Sequence, residues 1–251
     1  MEKEEQIFRN RVTELAELSF RRDVPAHTEF LTLQEQTIFR SMTGGLPPVR
    51  YELTGGFAGA ERKVVCFLPS YEEVLYKPPF ECLRISPANR KFAEELGHRD
   101  VLGALMSLGI ERSMIGDIVL KDGDAYTFVL EKMAGYVAEN LVSIRHTTVR
   151  AGICEIPEDS LAPETEEISG TVSSLRLDAL VALAGRLSRT KAAAYIEGEK
   201  VFVNGETAVS ASRLLKEGDI LSIRGIGKFR FQEAGGQTKK GRTGVILLKY
   251  V

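Results

Sequence analysis

Apolar residues recur at helical spacing near the start of the chain. Ile7, Phe8, Val12, Leu15 and Leu18 predict an amphipathic helix with one buried stripe. The stretch TLQEQTIF predicts a second helix, because Thr32 and Glu35 have the spacing at which each satisfies an unpaired backbone N–H of the other. Gly55-Gly56 then turn the chain, and KVVCFL reads as a buried strand. Arg62 and Lys63 follow the glycines, but the spacing of a phosphate-cradling GxxxxGK[ST] loop is missing, so a plain turn is expected. Pro78-Pro79 end this first segment, taken as an α/β domain over residues 1–76.

The next pattern is regular. ECLRIS alternates as a strand does, HRDVLGALMSLG has helical periodicity, IGDIVL and AYTFVLE are strands, KMAGYVAENLV is helical and IRHTTVRAGI is β-rich. The order βαββαβ is the ferredoxin-like or RRM-like plan: an antiparallel sheet with two helices on one face, here over residues 77–154. Tyr126 and Phe128 share one face of their strand. They are either a base-stacking platform or core, and the absence of a basic, Gly- and aromatic-rich RNP1 string favours core or an accessory surface. Residues 155–172 are acidic, carry two prolines and read as a linker, ending in a short strand at Ile168–Val172.

Residues 173–251 form a third module. Ser174 is positioned to cap a helix with Leu177, Leu180, Val181 and Ala184 on one stripe, and Gly185 to end it. Ser188 caps a second helix, RTKAAAYIEG. Asn204-Gly205 predicts a two-residue hairpin turn, and EGDILSIRG, GKFRF and GVILLKYV are further strands. The fold class is therefore α+β.

The 251 residues are 43% hydrophobic and 27% charged, with a net charge of −2. Division of that charge changes the picture. From Ser173 to Val251 fourteen Lys/Arg stand against seven Asp/Glu, a net +7, which leaves −9 for the remainder. A basic C-terminal module suits a polyanion. Arg189 and Lys191 sit in the first turn of the RTKAAAYIEG helix, where cations oppose the helix dipole at about 0.3–1 kcal/mol each. A phosphate reverses that sign, since N–H groups, dipole and cations then all face an anion. Arg176, Lys200, Arg224, Lys228 and Arg230 add to the same module.

Several chemistries are not indicated. His98-Arg99-Asp100 has the letters of a kinase catalytic loop, but Leu105 stands where that loop needs Asn, so the triplet is read as a helix entry with Asp100 as cap. His27, His98 and His146 lack metal-ligand spacing, and Cys66, Cys82 and Cys154 form no CxxC pair, so neither metal nor cofactor is expected. No apolar run has the length of a membrane span, and the acidic MEKEEQIFRN start lacks an apolar leader, so a cytoplasmic monomer is expected.

RLDALVALAGRLSRTKAAAYIEGEKVFVNG followed by LKEGDILSIRGIGKF resembles an S4 RNA-binding domain, over about residues 173–230. The resemblance implies an RNA surface on the paired helices and adjoining hairpin. Carried onto this chain it comprises Arg176, Asp178, Ser188, Arg189, Lys191, Lys200 and Asn204, with Arg224, Lys228 and Arg230 as looser candidates. Asp178, an anion, is expected to orient Arg189 or to accept from a base or ribose hydroxyl.

With TGGFAGAERKVVCFLPSY and GHRDVLGALMSLGIERSMIGDI ahead of it, nearly the whole chain resembles the YlmH family of bacterial S4-domain proteins. That implies a non-enzymatic factor of ribosome-associated quality control. Its partners would be large-subunit ribosomal RNA, tRNA and ribosomal or quality-control proteins, on stalled subunits carrying peptidyl-tRNA. The rivals are an RNA-modifying enzyme of the pseudouridine-synthase type, whose Arg-Leu-Asp letters recur at Arg176-Leu177-Asp178, and a ribosome-assembly factor.

Overall fold

The structure is a computed structural model that describes residues 2–71, 77–156, 158–237 and 241–250. The chain divides into two compact units, Met1–Ala162 and Pro163–Val251. The expected boundary at residues 76/77 falls inside the first unit, and the division at 162/163 lies within the stretch 155–172.

In the first unit, α1 (Glu2–Arg22) buries Val12, Leu15, Ala16 and Ser19. Ile7 and Leu18, expected on the buried stripe, are exposed. β1 (Ala26–His27), α2 (Leu33–Met42), β2 (Arg50–Thr54) and β3 (Val64–Leu68) follow, with sheet order β1-β3-β2. The capping box of α2 forms as its spacing predicts: Glu35 N–H donates to Thr32 Oγ1 at 3.2 Å, and Thr32 N–H to Glu35 Oε2 at 2.7 Å.

Then come β4 (Phe80–Pro87), α3 (His98–Ser107), β5 (Ile115–Lys121), β6 (Asp124–Leu130), α4 (Glu131–Asn140), β7 (Ser143–Ile144) and β8 (Thr147–Ile153). The order β5-β6-β4-β8-β7, antiparallel throughout, is the RRM-like arrangement with a short extra edge strand. One face packs on α3 and α4 through Leu83, Ile85, Val101, Leu105, Val129 and Val137. Gly97 is the N-cap of α3 and Asp100 lies at its third position, where its carboxylate accepts from the Gly97 N–H at 2.9 Å. Asp100 therefore secures the entry from inside the helix rather than as the cap itself.

The opposite face is not wholly open. Phe30, Val64 and Cys66 from the first segment pack with Phe80, Cys82 and Phe128. Phe128 is therefore core, with Phe57 stacked on it at 5.5 Å. Arg62 also joins the two halves. Its Nη2 donates to Phe30 O at 2.6 Å and its Nε to Ile115 O at 3.0 Å, while Asp117 accepts from the Arg62 N–H at 3.3 Å. That guanidinium is spent on carbonyls, as a turn would have it. The three cysteines are free thiols, with Cys82 and Cys154 facing across adjacent strands, Sγ to Sγ 3.8 Å.

The second unit comprises β9 (Thr165–Val172), α5 (Leu177–Ala184), α6 (Arg189–Glu197), β10 (Val201–Val203), β11 (Glu206–Thr207), β12 (Ile220–Ile223), β13 (Gly227–Gln237) and β14 (Thr243–Tyr250). Its antiparallel sheet runs β11-β10-β12-β13-β14-β9. The stretch 155–172 is thus no plain linker. Residues 165–172 pair with all of β14, from Thr165 opposite Tyr250 to Val172 opposite Thr243. α5 and α6 cover one face, where Leu177, Leu180, Val181, Ala192 and Ile196 pack on Phe229, Phe231, Val245 and Leu247.

Candidate nucleic-acid interface

α5 begins two residues later than its sequence suggests. Arg176, not Ser174, is the N-cap, and it lends no side-chain cap. The N–H groups of Leu177 and Asp178 donate instead to Arg213 O and Ala211 O, at 2.8 and 3.1 Å. The N-terminus of α5 is therefore occupied by the chain's own loop. α6 differs. Ser188 Oγ accepts from the Lys191 N–H at 3.2 Å, as predicted, and Arg189 and Lys191 are exposed at that end. Lys191 has no ion pair among the described residues.

Asp178 joins the two helix starts. It is 8% exposed, and its Oδ1 accepts from Arg189 Nη2 at 2.8 Å and Arg176 Nε at 3.2 Å; Arg176 Nη2 reaches Oδ2 at 3.3 Å. Burial alone raises the carboxyl, but hydrogen bonds from Arg176 and Arg189, with their charges, outweigh it and hold Asp178 below the usual carboxylate range. One carboxylate between two guanidiniums leaves a net positive charge. Both arginines keep side chains 42–50% exposed, so donors remain for an incoming anion. Asp178 thus orients both arginines, where sequence reasoning considered only Arg189.

Two neighbours were not foreseen. Ser173 Oγ accepts from Arg189 Nη1 at 3.3 Å, and Arg242 lines the same cleft as Arg189 while donating to Thr171 O at 2.5 Å. Arg242 reaches this point only because β14 lies beside β9. Its one sequence signal is the basic run KKGR, of which Lys239 and Lys240 lie outside the described residues.

The remaining candidates are elsewhere. Val201, Val203, Leu221, Ile223, Phe229 and Phe231 point into the core, so the alternate positions Phe202, Lys228 and Arg230 face away from the helices, whereas Lys200, just before β10, turns back onto Tyr195 of α6. Arg224 N–H donates to Lys200 O at 2.8 Å. The cations here lie over rings: Lys200 over Tyr195 at 5.4 Å, Arg224 over Phe202 at 5.7 Å and Lys228 over Tyr250 at 5.6 Å. Burial pushes the Lys228 ammonium down to about 8, so it begins to lose charge in mildly alkaline solution. The expected residues therefore occupy two faces, a helix-side clamp and a sheet-side row.

Asn204 is employed by the fold. It sits at φ +52° in the Asn204-Gly205 hairpin, its Nδ2 donates to Asp219 Oδ1 at 2.8 Å and its Oδ1 accepts from the Ile220 N–H at 2.9 Å. Asn204→Ala is expected to cost about 1–3 kcal/mol in chemical denaturation, with RNA affinity of the folded protein unchanged. A selective affinity loss at unchanged stability would instead place Asn204 on RNA.

Residues 82–158 match the family model described as "Putative RNA-binding domain in YlmH", and residues 175–221 match the S4 domain. The Ribosome-associated protein quality control protein P2 of Bacillus subtilis (strain 168) is 33% identical over 219 residues, covering 86% of this chain and 83% of that protein. The chain belongs to the YlmH family. A solved structure, the cell division protein ylmH from Streptococcus pneumoniae, has 21% sequence identity and a TM-score of 0.47, covering 61% of this chain and 92% of its own. This YlmH-family protein therefore carries two RNA-binding domains, and the Asp178 clamp lies within the S4 match.

Proposed function

We propose that the protein is a non-enzymatic factor that binds the large ribosomal subunit through its S4 domain. It would contact ribosomal RNA and tRNA, in quality control of stalled subunits carrying peptidyl-tRNA. The observation that carries the reading is the clamp at the start of α6: Arg176 and Arg189 held by buried Asp178, with Lys191 exposed beside them. Phosphate is the ligand such a geometry suits, since two guanidiniums fixed by one carboxylate stand at a helix N-terminus that carries a further exposed cation. The name of the Bacillus subtilis relative supports the quality-control assignment.

The same geometry speaks against the pseudouridine-synthase alternative. Leu177 is wholly buried, and Asp178 lies beneath two guanidiniums with both oxygens engaged. A carboxylate so neutralised is poorly placed to attack a nucleotide. Ribosome assembly uses the same surface and is separated from quality control by the subunit bound, mature and peptidyl-tRNA-bearing or precursor.

Arg189→Glu combined with Lys191→Glu is expected to weaken binding to 50S subunits by at least about tenfold and to flatten its salt dependence by about two charges. Co-sedimentation across a salt series measures both. Unchanged binding by the folded double variant would remove the clamp from the RNA surface.

A further inference from the structure

The Asp178 device occurs a second time, in the other unit. Asp124, at the start of β6, has a side chain only 1% exposed. Its Oδ2 accepts from Arg84 Nε at 2.8 Å and its Oδ1 from Arg90 Nη2 at 2.8 Å. The two arginine side chains are 50% and 57% exposed. A buried carboxylate needs one cation for neutrality. Here, as at Asp178, it holds two half-exposed, fixed guanidiniums, although Glu94, Glu95 and Asp122 line the cleft beside Arg90. Arg90 also donates to Asp122 O at 2.8 Å, which fixes it to the hairpin between β5 and β6.

The surroundings of this second clamp are those of a strand-binding surface. Arg84 lies on the sheet face away from α3 and α4, directly opposite Tyr126 on β6 and Gly152 on β8. Phe128 fills the other end of that face; at the Arg84 end Tyr126 packs beside Cys154, Ile156 and buried Leu161, and a cleft separates this segment from Arg84. A Cβ added to Gly152 would meet nothing within 4 Å. That cleft is lined by Arg84, Lys121, Tyr126, Cys154 and Ile156, with Asp122 and Glu155 as its acids. Arg150, opposite Ser86, adds an exposed cation next along β8. A half-buried aromatic ring beside oriented guanidiniums offers stacking for a base and hydrogen bonds for its phosphate.

We propose that Arg84 and Arg90, held by Asp124, bind a backbone phosphate of single-stranded RNA whose base stacks at Tyr126. The RRM-like domain thereby supplies a second RNA contact through the half of its sheet that the N-terminal segment leaves uncovered. This rests on the RNA-binding reading of the protein but not on the S4 clamp. Sequence reasoning missed it because Asp124 is 40 and 34 residues from its two partners.

The test uses the full chain and a single-stranded oligonucleotide containing 4-thiouridine. Photocrosslinks are mapped by mass spectrometry, and affinity is read by fluorescence anisotropy. Crosslinks are expected on the Tyr126 peptide, and Arg84→Gln should weaken binding by about tenfold, the effect of losing one charged hydrogen-bonding group. Gly152→Glu places a carboxylate on the open floor beside Arg84 without touching the clamp, and should do the same with an unchanged melting temperature. Failure to crosslink at Tyr126, or full affinity in folded Gly152→Glu, would overturn the proposal. The Arg189→Glu/Lys191→Glu variant separates the two readings. Tyr126 crosslinks that persist in it at raised protein concentration support an independent second site, whereas unaltered total affinity in that variant counts against the S4 clamp alone.

Discussion

Phe229→Ala is expected to destabilise the S4 unit by about 3–5 kcal/mol and to lower its unfolding transition by more than about 10 °C. Phe229 is wholly buried between the sheet and the helices that carry the clamp. Its neighbours Leu221, Phe231 and Leu247 are equally inaccessible, so little can collapse into the space left behind. Among the described residues, one core cluster lies wholly within 163–251 and the other three within 1–162. Calorimetry should therefore show one transition moving and another unmoved. A single transition that shifts as a whole would show the units unfolding together. RNA binding through the clamp should vanish at the temperature where the shifted transition ends.

Asp178→Asn should separate stability from recognition less cleanly, and its pH dependence carries the information. The amide keeps one acceptor oxygen for Arg176 and Arg189 but loses the negative charge, and it turns the oxygen that accepts from Arg176 Nη2 into a donor. Because both guanidiniums are half-exposed, the stability cost is discounted to about 1–2 kcal/mol. RNA affinity should fall by about tenfold, since both arginines are then held less firmly. The folded carboxyl titrates below its usual range. Its contribution to stability is therefore complete above the unfolded value, near 3.9, and disappears as pH falls through the lower folded value. Wild type and Asp178→Asn should differ at neutral pH and converge once the pH has fallen through the lowered folded value. Denaturant titrations across that range measure it, and a constant gap would mean that the pairing is not what Asp178 contributes.

Local chemistry was legible in the sequence, and long-range pairing was not. The Thr32–Glu35 box, the Asn204-Gly205 hairpin and the Ser188 cap each need only two to four consecutive positions, and each forms. The βαββαβ order was legible because its periods are clean. β9 was largely read as linker, since Glu166, Glu167 and Ser169 make it polar and only its pairing with β14 orders it. The apolar Ile7 and Leu18 are set on the exposed side of α1 by where α2 and β3 pack, which periodicity alone does not determine. In the candidate site, Arg189 and Lys191 were found through a broken rule of helix electrostatics. Asp178's hold on Arg176 was within reach at two residues' separation. Arg242 was not, because only the sheet brings it to Arg189.

The pairing of Thr165 with Tyr250 also sets an order of events during synthesis. Arg176, Asp178 and Arg189 emerge together and lie on a local helix pair. The floor on which those helices rest includes Val245 and Leu247, made some fifty residues later, a delay of roughly 2–10 s at ordinary elongation rates. Until residues 243–250 have left the exit tunnel, the six-stranded sheet cannot close and the guanidiniums have no fixed frame. A nascent copy thus carries its recognition groups before it can hold them still.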